Sequence, residues 1–240
     1  MTLDFNHRTT PAQDFVAMID KAMQERQEAR RSYLGASSIG EPCARQLQYS
    51  FLGATPNEGS GFSGRTKRIF HRGHQGEEWM IEWIRAAGFT LKTEARGQQF
   101  GFEDCDGRFK GHVDGVIVAG PGGLKFPALW ENKVLGAKGF AQLVKHGVAK
   151  AYPKYAAQVA VYQAYMQLAE NPAIFTALNA DTMEIHAEAV PFDQALAQEC
   201  IDKAARILTA SDHGETLPRA ADAPDSFTCK FCAFTGVCWQ

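Results

Sequence analysis

Nowhere does the 240-residue chain run apolar for the roughly 20 residues that a bilayer-spanning helix needs. Its opening stretch, MTLDFNHRTTPAQDF, lacks the charged start and apolar core of a signal peptide. A cytoplasmic protein with no membrane partner is therefore expected. In that compartment its six cysteines suit metal binding or chemistry better than disulfides. There is no G-x-x-x-x-G-K-[ST] loop, so no ATP motor is built in, and any helicase or recombination activity would have to come from a partner protein. Internal repeats and low-complexity linkers are also missing.

Acid is missing from two segments in particular. The formal net charge is −2, which by itself argues against a nucleic-acid partner. Yet no Asp or Glu lies between Glu58 and Glu77, where Arg65, Lys67, Arg68 and Arg72 fall. None lies between Glu131 and Glu170 either, where Lys133, Lys138, Lys145, Lys150 and Lys154 follow one another. Solvated helix faces usually mix both signs, so these segments point to a polyanion such as DNA, with chance clustering as the alternative.

What is present is a core-forming composition, 45% hydrophobic with 16 Phe and 4 Trp. Hydrophobic periodicity predicts a charged helix over 12–31 and a second over 75–87 ending at Gly88. Extended runs follow at about 90–102, 111–119 and 128–136, the last two separated by the GPGG turn. A helix over 152–169, strands at 173–179 and 183–190, and a helix over 193–210 complete the pattern. The order predicts a mixed α/β domain.

Two strands carry the chemistry. In GHVDG, Asp114 interrupts an apolar run, and in WENKV, Glu131 and Lys133 stand two apart and so share one strand face. Two carboxylates can hold Mg²⁺ or Mn²⁺, which activates water and neutralises phosphodiester charge, while a lysine orients the water. The plain alternative is a surface salt bridge between Glu131 and Lys133. On the 75–87 helix, Glu77 falls within the apolar arc that also holds Trp79, Met80, Ile81, Trp83 and Ile84, with His74 at its edge, whereas Glu78 lies on the polar arc. A carboxylate on a core face needs a compensating partner, and a cation could be one.

These motifs, GHQGE (73–77), GHVDG, ENK (131–133) and QVAVY (158–162), occur in the order of the PD-(D/E)XK phosphodiesterase superfamily, and the chain resembles its RecB-like nucleases. The resemblance implies a restriction-endonuclease-like mixed sheet flanked by helices. It implies Asp114, Glu131 and Lys133 as catalytic residues, with Glu77 or His74 completing the Mg²⁺/Mn²⁺ site. Many members carry His where this chain has Glu77, and phage-type exonucleases with an acid there look similar. Gln158 and Tyr162, one helical turn apart, would contact the DNA strand, with Arg45, Lys150 and Lys154 adding to the DNA surface. Tyr152, Tyr155, Tyr162 and Tyr165 offer stacking faces.

CKFCAFTGVC (229–238), together with SSIGEPCARQLQY (37–49), resembles one branch of these nucleases, which includes the AddB nuclease domain and the CRISPR-associated RecB-like nucleases. There, one cysteine before the core and C-x-x-C-x-x-x-x-x-C after it hold a [4Fe–4S] cluster that staples the termini. The implied ligands are Cys43, Cys229, Cys232 and Cys238, zinc being the alternative metal, with Phe231 and Phe234 packed around the site. Cys105 and Cys200 fall outside the pattern. Residues 1–36 would form a helical segment and 37–240 the nuclease domain. The expected activity is a metal-dependent exonuclease on single-stranded or end-frayed DNA. Its rivals are an endonuclease or processing subunit of a larger DNA-handling complex, and a non-catalytic DNA-binding module with structural zinc.

Overall fold

A computed structural model describes residues 10–26, 31–95 and 97–240. The chain enters through helix α1 (Pro11–Glu25), opened by a capping box in which the Thr10 hydroxyl accepts from the Gln13 backbone N–H. Strand β1 (Leu34–Gly35) and the short α2 (Ala36–Ile39) lead to α3 (Ala44–Leu52) and the long α4 (Gly64–Ala86). Next come β2 (Thr90–Lys92), β3 (Glu94–Ala95), β4 (Gln98–Gln99), β5 (Gly101–Asp104), β6 (Phe109–His112), β7 (Gly115–Ala119) and β8 (Ala128–Leu135). Helices α5 (Ala137–Ala151) and α6 (Pro153–Tyr165) precede β9 (Ala173–Asn179) and β10 (Ile185–Val190). The chain then forms α7 (Gln194–Asp212) and two single-turn helices, α8 (Phe227–Lys230) and α9 (Thr235–Cys238).

The main sheet is mixed, in the order β10-β9-β8-β7-β2, with β8 and β9 parallel and the other neighbours antiparallel. β8 sits at its centre, which is why its first five residues are all buried. A parallel pair cannot be joined by a tight turn, and α5 with α6 supplies the crossover. α4 covers one face, where Met80 packs with Leu91, Ile117 and Trp130. α5 and α6 lie on the other and are backed by α7. A second small sheet, β1-β6-β5, extends the core beside α2 and α6. Among the described residues no helix is long and apolar enough to cross a membrane.

The mixed sheet flanked by helices is as expected. Several boundaries differ. α4 begins at Gly64, eleven residues before the predicted start, because its first turns carry basic and small residues with no apolar stripe. The helix expected over 12–31 is α1, and residues 27–30 lie outside the described residues. Leu34, Ala36 and Ile39 are buried together in the main core. α5 was not predicted at all. Gly136, Gly139 and Gly147 break its pattern, and at Gly147 (φ 72°, ψ 165°) the helix does kink. There the Glu188 carboxylate accepts from the freed Val148 N–H at 2.8 Å. Finally, Trp79 and Trp83 lie outside the core, exposed and stacked on each other with ring centres 6.5 Å apart.

Gly111 on β6 marks a close approach of the small sheet to α2 and α6. A β-carbon there would stand 2.4 Å from Tyr162 Cε1 and 2.6 Å from Phe102 Cε1. Gly111→Ala should therefore destabilise the fold by about 1–3 kcal/mol. Gly123→Ala, in open space, should be neutral or slightly stabilising. Urea denaturation of the two variants checks this, and equal midpoints would contradict the packing.

Candidate active site and cysteine pocket

Asp114 immediately precedes β7, and the pairing of Gly115 with Trp130 brings it beside β8. Its Oδ2 accepts from the Asn132 backbone N–H at 2.8 Å, which fixes the carboxylate against the neighbouring strand. Along β8 the side chains alternate. Trp130 and Asn132 turn to one face, joined through Thr176, whose hydroxyl accepts from the Trp130 indole N–H and donates to Asn132 Oδ1, each at 2.9 Å. Glu131 and Lys133 turn to the other, as their spacing predicts, and the Lys133 ammonium donates to Glu131 Oε1.

Glu131 is 0% exposed, and its Oε2 has no hydrogen-bond partner among the described residues. Burial pushes its pKa up to about 8, and the Asp114 charge adds to the rise. Glu77, reaching in from α4, is raised to about 7, first by burial and then by Asp114. Burial also raises Asp114, against the pull of Lys133 and of His74. For Lys133 burial acts downward, but the Glu131 and Asp114 carboxylates overcome it and hold the ammonium charged. The structure thus brings Asp114, Glu131, Lys133, Glu77 and His74 to one place.

The three carboxylates are hard oxygen donors of the kind a divalent cation takes, and one buried oxygen, Glu131 Oε2, has no hydrogen-bond partner among the described residues. Among the described residues, no three His, Cys, Asp or Glu side chains already stand closely enough to hold a metal ion. The side chains would have to close on one.

The remaining predicted residues are placed differently. Gln158 and Tyr162 do share a face of α6, the Gln158 amide donating to Tyr162 Oη at 3.2 Å. They are only 4% and 2% exposed, however, and the Glu131 and Asp114 charges act on the Tyr162 hydroxyl. Both side chains are thus buried on the α6 face beneath the carboxylates. Lys150 is exposed at the end of α5, but Lys154 is tied to Glu41 in an ion pair. Arg45 belongs to the cysteine pocket, where it bonds the Leu217 carbonyl and, at 3.6 Å, Cys238 Sγ.

Tyr155 has a place the sequence did not reveal. The Lys133 ammonium lies 5.2 Å from its ring centre, and the ring is stacked between Tyr152 and Phe175. In sequence it was one of four tyrosines offered for stacking, and nothing there links it to a lysine on a distant strand.

Cys43, Cys229, Cys232 and Cys238 all line one pocket between the start of α3 and the chain's last two turns, and all are free thiols. Burial raises the Cys232 thiol, and the other three cysteines push it the same way. The Phe234 backbone N–H opposes this by donating to Cys232 Sγ at 3.4 Å. Four soft donors suit either zinc or an iron–sulfur cluster. Phe234 packs here, but Phe231 is 79% exposed and paired with Phe227 at the surface, so it does not shield the pocket.

This fold occurs in solved structures at low sequence identity. One is an alkaline exonuclease, LHK-Exo, from Laribacter hongkongensis (TM-score 0.55, 16% identity, 82% of this chain and 93% of that one). A second is LHK-Exo in complex with dAMP (TM-score 0.52, 15% identity, 82% and 93%). A third is SSO0001 (TM-score 0.50, 12% identity, 93% and 96%). At such identities the likeness establishes the fold. No family model and no curated protein matches the chain.

The raised carboxylates fix a pH dependence. A folded-state pKa above the unfolded value favours the protonated form in the fold. The stabilisation from Glu131 is therefore complete below about 4.5 and lost as pH rises through about 8. In EDTA, Glu131→Gln should melt several degrees above wild type at pH 8, with a smaller gap at pH 5. Added Mn²⁺ should raise the wild-type Tm more at pH 8 than at pH 6. A difference between variant and wild type that does not change with pH would contradict the assignment.

Proposed function

We propose that the chain is a metal-dependent deoxyribonuclease, acting as an exonuclease on single-stranded or end-frayed DNA. The observation that carries this reading is the buried Asp114–Glu131–Lys133 constellation, with Glu131 Oε2 unpartnered among the described residues and the Asp114 and Lys133 charges acting on Glu77. It lies on a fold shared with an alkaline exonuclease, which supports the choice of reaction. LHK-Exo has been solved with dAMP, and a deoxynucleoside monophosphate is the kind of product expected from this chain.

Asp114, Glu131 and Glu77, with His74 at the margin, would hold one or two Mg²⁺ or Mn²⁺ ions. Such a cation activates water and neutralises phosphate charge. Lys133 is held charged and so acts as a fixed donor and not as a base. It orients the attacking water and stabilises negative charge that builds on the phosphate oxygens. Tyr155 and Glu131 hold that ammonium from two sides, while Gln158 and Tyr162 lie buried beneath the carboxylates. Water adds to phosphorus as the opposite P–O bond breaks, leaving a phosphate monoester and an alcohol. The exposed Lys138, Lys145 and Lys150 of α5 would meet the DNA backbone, so binding should weaken as salt rises. We further propose that the four pocket cysteines hold a [4Fe–4S] cluster. A helicase or recombination protein would be the partner that feeds the enzyme its ends.

Digestion of linear and circular DNA with Mn²⁺, Mg²⁺ or EDTA tests the reading. Linear DNA should be degraded only with metal. Asp114→Ala and Lys133→Ala should each lower the rate at least 100-fold while leaving DNA binding in place. Cleavage of closed circles would instead identify an endonuclease. Binding without any cleavage would leave a DNA-binding module.

A further inference from the structure

The cysteine pocket contains a hydrogen-bond donor that its own residues do not use. Trp239 lines it, its ring 4.4 Å from the Arg219 guanidinium, and its indole N–H is buried with no acceptor among the described residues. A buried donor left unsatisfied is destabilising, so a pocket built this way calls for an acceptor from outside the chain. The donors nearby already point at sulfur: Arg45 Nη1 lies 3.6 Å from Cys238 Sγ, and the Phe234 N–H lies 3.4 Å from Cys232 Sγ. Arg219 bonds the Cys238 carbonyl through Nε at 3.0 Å and Nη2 at 2.6 Å. The lining includes these two arginines and no acid.

Resting on the reading of the four cysteines as an iron–sulfur site, we propose that Trp239 and Arg45 are positioning residues that hydrogen-bond the cluster's sulfur atoms and make its reduced form easier to reach. An added electron spreads onto the sulfurs, and N–H donors and nearby cations stabilise that charge. Hydrogen bonds to sulfur and local net charge are among the main determinants of cluster potential. Trp239 adds the donor, and Arg45 adds both a donor and a charge at Cys238.

The test uses full-length protein purified without oxygen. Iron, sulfide and zinc are measured, and the reduced cluster is counted by electron paramagnetic resonance during a dithionite titration. Trp239→Phe keeps a ring beside Arg219 and removes only the N–H. At a fixed ambient potential it should contain several-fold less reduced cluster than wild type, at equal iron content. Arg45→Met should move the titration the same way, and Arg45→Lys should recover part of the loss. Equal reduced fractions in wild type and variants, with iron retained, would overturn the proposal and leave the cluster reading standing. Zinc in place of iron would overturn both. Should Trp239→Phe lose its iron, the wild type decides. With tryptophan labelled by ¹⁵N in the indole, the reduced cluster should show hyperfine coupling to that nitrogen and its exchangeable proton, and no coupling would overturn the proposal.

Discussion

Glu131 is withdrawn from water in the central strand of the sheet, where an unpaired charge would cost several kcal/mol. Lys133, on the same strand face, offsets the charge at one oxygen, and the second oxygen has no partner among the described residues. Much of the neighbouring architecture follows from this. The lysine must be held in reach, and the stacked Tyr152–Tyr155–Phe175 rings give its ammonium a wall. Asp114 must be fixed although like charges surround it, and the Asn132 N–H does so across the strand pair. The opposite face of β8 is tied to β9 by the Trp130–Thr176–Asn132 chain.

The parts of this site that depend on strand periodicity were legible in the sequence. The shared face of Glu131 and Lys133 needs only alternation, and the nearness of Asp114 only a short turn between the two runs, although the strand expected over 111–119 is split at Asp114 into β6 and β7 of different sheets. Placing Glu77 on the inward arc of its helix needed only the 100° step. The same step put Trp79 and Trp83 inside, because a helical wheel gives the direction of a side chain but not how far the neighbouring sheet extends beneath it. Tyr155, Arg45 and Lys154 were illegible for a different reason. Each owes its role to a residue far away in sequence: Lys133, Cys238 and Glu41 respectively. α5 was hidden by its own glycines, one of which is a true break that is repaired by Glu188 from another strand.

The C-terminal turns are held by hydrogen bonds from side chains of α3 and the loop after it. The Gln48 amide donates to the Glu215 carbonyl at 2.7 Å and accepts from the Leu217 N–H at 2.9 Å. Asn57 does the same for the last two turns, donating to the Cys232 carbonyl at 3.3 Å and accepting from the Gly236 N–H at 2.8 Å. These contacts dock the segment onto α3 and the loop after it before any metal is considered. They bring Cys229, Cys232 and Cys238 into one pocket with Cys43.

The two pairings of β8 differ in the length of chain they must close. Its antiparallel partner β7 is reached through a short turn, whereas its parallel partner β9 waits for the whole α5–α6 crossover. Local closure sacrifices less chain entropy and comes earlier, so the β7–β8 hairpin can form while β9 is still unplaced. On that order Asp114 and Glu131 would meet while water still reaches both, and the charge repulsion of the native site would be assembled in solvent and sealed afterwards. An early order of this kind keeps the most costly step of folding from falling on a chain that is already dry.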